Sequence, residues 1–262
     1  MDNQSRQSIR LNKFLAERLG VSRREADDLI SAGKITVNDK TATIGIHIDK
    51  NDKVCYNNKI VPFDTEYLYL AFNKPVGYVC SRRAQGSTPT LYELLPKEYQ
   101  KLKTVGRLDK DSSGLILLTN DGDFAFQMTH PKFHKIKIYE VELDRPLEPF
   151  HQQMISDYGI MLDDGPSKFL IMKNELTKPS SSGRSSRPSS RDSSLRPRSD
   201  CGCPSEEISQ AHYIVSISEG RNRQIRRTFA ALGYRVTKLH RTEFGKYQLS
   251  GLEPGKYVII KP

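Results

Sequence analysis

Apolar positions change their rhythm along the chain. Leu11, Phe14, Leu15 and Leu19 recur at helical spacing, and Gly20 follows as a stop. Ser22-Arg23-Arg24-Glu25 has the form of a capping box, in which the serine hydroxyl accepts from the new helix and the glutamate reaches back. Ala26, Leu29 and Ile30 then make an apolar face that Gly33 ends. Lys34 to Asn38 predicts a strand, Asn38-Asp39-Lys40 a turn, Thr41 to Ile48 further chain, and Val54-Cys55-Tyr56 another strand. Residues 9–61 are therefore expected to form a small module of two helices and a sheet. A disordered stretch at 1–8 precedes it and a short polar linker at 62–66 follows.

From Tyr67 the rhythm becomes that of strands. Tyr67 to Phe72 predicts one, Asn73-Lys74-Pro75-Val76-Gly77 a turn, and Tyr78-Val79-Cys80 a second. Residues 81–89 read as an exposed basic loop, and Thr90 with Glu93 opens a short helix. Leu115-Ile116-Leu117-Leu118 is short enough for a buried strand, and Asp123 to Met128 predicts a helix. Across 135–143 apolar and polar residues alternate; Ile136 and Ile138, with Val141, mark an inward face and Tyr139 the opposite one. Glu148 to Tyr158 predicts a helix, Met161 to Pro166 a loop, and Phe169 to Met172 and His212 to Ser218 strands. A helix ending at Gly233, a strand near Lys238-Leu239-His240-Arg241 and a last strand over 257–260 complete the chain.

Composition adjusts this picture in two places. Apolar residues are 36% of the 262, a low share for a compact globule. Residues 177–205 account for part of it: eleven Ser, five Arg and four Pro in twenty-nine positions leave nothing to build a core, which predicts a disordered insertion between two strands. The formal charge of +10 fits a nucleic-acid binder. No apolar run is long enough for a membrane helix and Met1-Asp2-Asn3-Gln4-Ser5 opens no signal peptide, so a cytoplasmic protein is expected. Cys55, Cys80, Cys201 and Cys203 form no disulfide framework. Cys201-Gly202-Cys203 lacks a second ligand pair, and Pro131 separates His130 from His134, so no metal is expected.

The candidate chemistry lies in Gly106-Arg107-Leu108-Asp109-Lys110-Asp111-Ser112-Ser113-Gly114, just before the Leu115 strand. A loop at a strand end holds a group rigidly while leaving it open to ligand, although a plain strand-turn-strand uses the same residues. GRLDKDSSGLILLTNDG resembles throughout the signature loop of the bacterial ribosomal RNA pseudouridine synthases, G-R-L-D-x-[DE]-[ST]-x-G-L-[LI]-[LI]-L-T-N-D-G. Two further stretches are similar to the same family in the same order: Asn73-Lys74-Pro75-Val76-Gly77, and Glu219-Gly220-Arg221-Asn222-Arg223-Gln224-Ile225-Arg226-Arg227. The resemblance implies Asp109 as nucleophile, Tyr139 of K-x-Y-x-V as active-site tyrosine, Arg226 as partner of the aspartate and Leu239 as an apolar wall under the base. Thr228 stands where the family usually has Met, which leaves the packing behind Arg226 open.

RLNKFLAERLGVSRREADDLISAGKITVND likewise resembles the S-four RNA-binding fold, whose two helices present the RNA surface. Arg23 and Arg24 occupy a first helical turn, where cations are disfavoured unless an anion binds; with Lys13, Arg18 and Lys34 they make a phosphate-contacting face. Lys74, Arg107, Arg221 and Arg223 add cations around the candidate site. The fold expected is α+β: an S-four-type domain, then a synthase domain over 67–262 with a mainly antiparallel mixed sheet flanked by helices. The expected activity is isomerisation of a uridine in ribosomal RNA, with Asp109 as the reacting group and the base flipped out, by a monomer without cofactor. Met161 to Phe169 and the Lys110-Asp111-Ser112 stretch resemble the large-subunit enzymes more than the small-subunit one, and the partner implied is ribosomal RNA or a pre-ribosomal subunit. The alternatives are a silent RNA-binding assembly factor, which would not need Asp109, Tyr139 and Arg226 together, and a synthetase fragment, for which no nucleotide-binding signature is found.

Overall fold

The computed structural model describes residues 8–64, 66–82, 86–173 and 211–262. The expected N-terminal disorder before residue 8, the whole of the expected 177–205 insertion with Cys201 and Cys203, and Arg83 of the basic loop lie outside the described residues. In chain order the elements are β1 (Ile9–Arg10), α1 (Leu11–Arg18), α2 (Arg23–Ser31), β2 (Ile35–Val37), β3 (Lys40–Thr41), β4 (His47–Ile48), β5 (Val54–Tyr56), β6 (Lys59–Ile60), β7 (Tyr69–Lys74), β8 (Lys103–Val105), β9 (Ser113–Thr119), α3 (Gly122–Thr129) and β10 (Lys137–Leu143). After these come α4 (Pro149–Gln153), β11 (Ile160–Leu162), β12 (Gly165–Ser167), β13 (Leu170–Lys173), β14 (Ala211–Ile217), α5 (Gln224–Ala231), β15 (Val236–Phe244), β16 (Tyr247–Gln248) and β17 (Tyr257–Ile259). The class is α+β.

Two compact units share these elements: Met1–Lys137 with Ser218–Gly220 and His240–Pro262, and Ile138–Ile217 with Arg221–Leu239. In the first, the N-terminal module buries Leu11, Phe14, Leu15, Ala26, Ile30, Ile35 and Val54 in one core. The capping box forms, with Ser22 N–H donating to Glu25 at 2.7 Å and Glu25 N–H to Ser22 Oγ at 3.1 Å. β2–β3 and β5–β6 are hairpins whose turn pairs Asn38-Asp39 and Asn57-Asn58 all have positive φ, the backbone that matches strand twist in two-residue loops. Phe63, expected in the linker, stacks on Phe14 at 4.4 Å and so belongs to this module's core.

The remainder of the first unit is built on β9. β7 pairs with it antiparallel along its length, from Tyr69↔Thr119 to Lys74↔Gly114. The opposite edge is shared: β8 takes its far end antiparallel, Lys103↔Thr119 to Val105↔Leu117, and β15 takes its start in parallel at His240↔Ser113 and Arg241↔Gly114. Residues 106–112 thus leave the sheet where one neighbour of β9 gives way to the other. Gly114 makes that exchange possible: a Cβ there would lie 2.2 Å from the Arg241 carbonyl oxygen, and its φ of +106° is closed to most side chains.

In the second unit the strand order is β13-β14-β10-β15, and β11 and β12 form a separate hairpin. β10 and β15 each run from one unit into the other, at Lys137/Ile138 and Leu239/His240.

Three expectations are corrected. Tyr78–Cys80 forms no strand, only a single bridge of Val79 to Thr90, because its backbone is used to hold the neighbouring loop. Met161 to Pro166 is a hairpin rather than a loop, closed at Leu162↔Gly165. The inward face of β10 is the reverse of the one expected: Lys137, Tyr139, Val141 and Leu143 are buried, while Ile136 is 52% exposed. Two isoleucines outweighed the phase set by Val141 and Leu143, and a slip of one residue inverts every side chain.

Candidate active site

The Asp109 loop is held at every second residue from one side. Cys80 Sγ donates to the Leu108 carbonyl at 3.3 Å and accepts from the Leu108 N–H at 3.4 Å. Gly77 N–H donates to the Lys110 carbonyl at 2.8 Å, and the Lys74 ammonium to the Ser112 carbonyl at 2.7 Å. Residues 108, 110 and 112 are thereby anchored to the 74–80 segment, and Ser112 N–H closes a turn onto the Asp109 carbonyl at 3.1 Å. Asp109, between the anchors, is half-buried, and Arg107 is exposed beside it.

Lys74, expected to contact RNA, is turned into the protein. Its side chain has no exposed surface, and its ammonium is spent on the Ser112 and Pro75 carbonyls. Burial pushes its pKa below the ordinary lysine value, opposed by attraction from Cys80, Asp109 and Asp111. Lys74 is a fastening of the loop from beneath.

Around the parallel pairing, Arg241 is buried, donates from Nε to the Leu115 carbonyl at 2.7 Å and lies 4.9 Å over the Phe244 ring. His240 Nδ1 is 2.9 Å from Ser113 Oγ. Lys137 is buried next to the carbonyls of 218 and 219. Neither Cys80 nor Lys137 stands out in the sequence. The signal for Lys137 was available, because it shares the period-two face of Tyr139, Val141 and Leu143.

The other expected site residues lie in the second unit. Tyr139 and Leu239 are buried, at 8% and 7% exposure. Arg226 is half-buried on α5, and its Nη1 donates to the Val236 carbonyl at 2.8 Å. Thr228, where the family pattern has Met, is fully buried; its hydroxyl meets Ser167 Oγ at 2.8 Å and the Gln224 carbonyl at 2.9 Å, so the departure is absorbed by a small polar pair. Arg221, expected on RNA, has its guanidinium occupied by the Asp164 carboxylate and the carbonyls of Asp164, Gly165 and Pro166, and Arg227 adds a 2.7 Å bond to Asp164. Arg221 therefore fastens the arginine run to the β11–β12 turn. Arg223 is exposed, with φ of 46°.

On the N-terminal module, Arg23, Arg24 and Lys34 are exposed. Lys13 instead forms an ion pair with Asp123, and Arg18 lies half-buried over the Phe14 ring, so these two are set back from the expected phosphate face. Lys103 donates to the Ala16 carbonyl at 3.2 Å and Arg82 to the Gly20 carbonyl at 3.0 Å, which ties the module to the β8 side of the unit. Among the described residues no cluster of metal-ligating side chains occurs, and no helix is long and apolar enough to cross a membrane.

Residues 68–231 match the family model described as RNA pseudouridylate synthase, and residues 9–54 that of the S4 domain. The chain is 33% identical over 252 residues to ribosomal small subunit pseudouridine synthase A of Pasteurella multocida, covering 95% of this chain and 94% of that protein. It is 32% identical over 250 residues to ribosomal large subunit pseudouridine synthase B of Bacillus subtilis, covering 94% and 89%. A crystal structure of a pseudouridylate synthase, 29% identical, superposes over 97% of this chain and 96% of that one with a TM-score of 0.60.

Proposed function

The chain belongs to the RNA pseudouridylate synthases, and from that premise we propose that it isomerises a uridine of ribosomal RNA with Asp109 as the reacting carboxylate. The observation that carries this is the anchoring of 108, 110 and 112 to the 74–80 segment, which fixes the backbone on both sides of Asp109. Preorganisation of this kind is what a reacting group needs, since small misplacements are costly to rate.

The reaction breaks the nitrogen–carbon glycosidic bond, turns the base, and joins the ribose to carbon 5, with no change in composition. It calls for no oxidant. A carboxylate serves either by attacking the sugar or by taking a proton from it, and in both cases it must be ionised. Arg226 is assigned as its charge partner, offsetting the desolvation of a water-excluding pocket. Tyr139 is assigned as the stacking surface for the flipped base and Leu239 as the apolar wall, both already buried on strands rather than on mobile loops. Arg23, Arg24, Lys34 and Arg223 are exposed and suited to sequence-independent phosphate contacts that position the RNA.

The relatives carry both small-subunit and large-subunit names, so the large-subunit preference read from the sequence is kept only as one arm of the test. Tritium release from carbon-5-labelled uridine is measured in each protein-free ribosomal RNA and in each subunit, comparing the intact protein with Asp109→Asn. Release from one RNA that vanishes in the variant is the expected result. Binding without release on every substrate would leave an RNA-binding assembly factor.

A further inference from the structure

Lys137 opens β10 and is 9% exposed. Its Nζ faces three carbonyl oxygens, those of Glu219 at 3.0 Å, Ser218 at 3.3 Å and Lys135 at 3.5 Å, and lies 5.5 Å from the centre of the Phe244 ring. Arg241 and Glu219 are the charged groups that act on it. Three acceptors around one nitrogen match the three N–H donors of an ammonium. Strand packing alone would favour an apolar side chain here, as Val141 and Leu143 provide further along the same face.

The two carbonyls it reaches across to are separated from the arginine run by Gly220 alone. β14 ends at Ile217, Ser218 and Glu219 follow, and Arg221 to Arg227 begin one residue later. We propose that Lys137 is a positioning residue for the isomerisation, its ammonium fixing the Ser218 and Glu219 backbone and thereby the point from which Arg226 and its neighbours depart. This rests on the role assigned to Arg226 above.

The state of that ammonium depends on pH within the working range of an enzyme. Burial, reinforced by Arg241 and opposed by Glu219, lowers the Lys137 pKa to about 8. Above that value the amine has two N–H groups and a lone pair, so three carbonyls share two donors and the bonds to the Ser218 and Glu219 carbonyls lose the positive charge that strengthens them. The rate of base isomerisation then falls as pH rises through about 8, while RNA affinity, set by exposed cations elsewhere, does not.

The test is single-turnover pseudouridine formation on the responsive RNA across the pH range around 8 for the intact protein, Lys137→Met and Lys137→Arg, with Asp109→Asn as control. Lys137→Met is expected to lose kcat on the order of 10²-fold with little change in KM, as for a displaced partner group. Lys137→Arg keeps donors at every pH used and is expected to abolish the alkaline fall. Wild-type kcat in the Met variant, or an unchanged alkaline fall in the Arg variant, overturns the proposal. So does loss of the native far-ultraviolet spectrum in both variants, which would assign Lys137 to the fold instead of the site. If Asp109→Asn is as active as the intact protein, the assignment of the site fails, whatever Lys137 does.

Discussion

The Lys74 ammonium lies 2.7 Å from the carbonyl oxygen of Ser112, three residues beyond Asp109, with no part of its side chain exposed. A cation buried beneath a loop is retained only where acceptors and nearby carboxylates compensate its lost hydration, and here Asp109 and Asp111 attract it. Lys74→Met removes the donor of the buried Ser112 carbonyl and the partly buried Pro75 carbonyl and should cost about 1–3 kcal/mol near neutral pH. The sign of its pH dependence follows from the lowered pKa. Between that value and 10.5 the unfolded chain holds more protons at this position, so the stability contributed by Lys74 rises with pH. Denaturant midpoints should therefore show the gap between intact and variant proteins widening towards pH 10.5, and a constant gap would contradict the burial of the charge.

Gly114 is where the parallel partner of β9 comes closest. A methyl group there meets the Arg241 carbonyl oxygen at 2.2 Å and its nitrogen at 2.5 Å, both backbone atoms that cannot swing aside. Gly114→Ala should destabilise the protein by about 2–5 kcal/mol, combining overpacking with a strained φ. The His240↔Ser113 and Arg241↔Gly114 pairings should open first. Loss of amide exchange protection at 113–115 and 240–242, with the N-terminal module unaffected, is the expected pattern. Uniform loss of protection would count against a local clash.

Much of this architecture is visible in the residues themselves. Leu115 to Leu118, the capping box at Ser22 and the asparagine-led hairpins need no tertiary information, because local spacing and turn chemistry decide them. The motif string likewise directs attention to Asp109. What escaped is whatever depends on a distant partner. Lys74 and Arg221 look like phosphate contacts because sequence gives charge without burial; in the fold Lys74 holds the Ser112 carbonyl and Arg221 the Pro166 carbonyl. The alternation alone turns Tyr139 outward, because Ile136, at the end of a strand, stays exposed at little cost while Lys137 is buried by carbonyls 81 and 82 residues away, at Ser218 and Glu219.

Asp164 organises the arginine run from the β11–β12 turn. Its carboxylate takes Arg227 at 2.7 Å and Arg221 at 3.1 Å, and the Arg227 hydrogen bond, opposed by desolvation, holds it below the usual carboxylate value. A lowered carboxylate contributes stability at all pH above the unfolded value of 3.8 and loses it as pH falls through the lowered value, so the contact is fully present at neutral pH. Asp164→Asn should lower kcat/KM by about ten- to a hundredfold by loosening the run. Faster amide exchange over 221–227 should accompany the loss. An inactive variant with unchanged exchange there would point away from positioning.

Salt dependence separates cations that face RNA from cations that face the protein. Arg24 and Lys34 are exposed on the N-terminal module, whereas Lys13 is paired with Asp123 and only 20% of its side chain is exposed. An exposed cation that neutralises a phosphate releases counterions, so removing it should reduce the slope of log Kd against log salt by about 0.7–0.9. Arg24→Ala and Lys34→Ala are each expected to do so. Lys13→Ala should change the slope by much less, because its charge is already balanced within the protein. Asp123→Asn provides the complement: it releases Lys13, and the slope should steepen. Should Lys13→Ala instead match Arg24→Ala, the ion pair must open when RNA binds, and the contact between α1 and α3 would be one that RNA competes for rather than one that merely fixes the module in place.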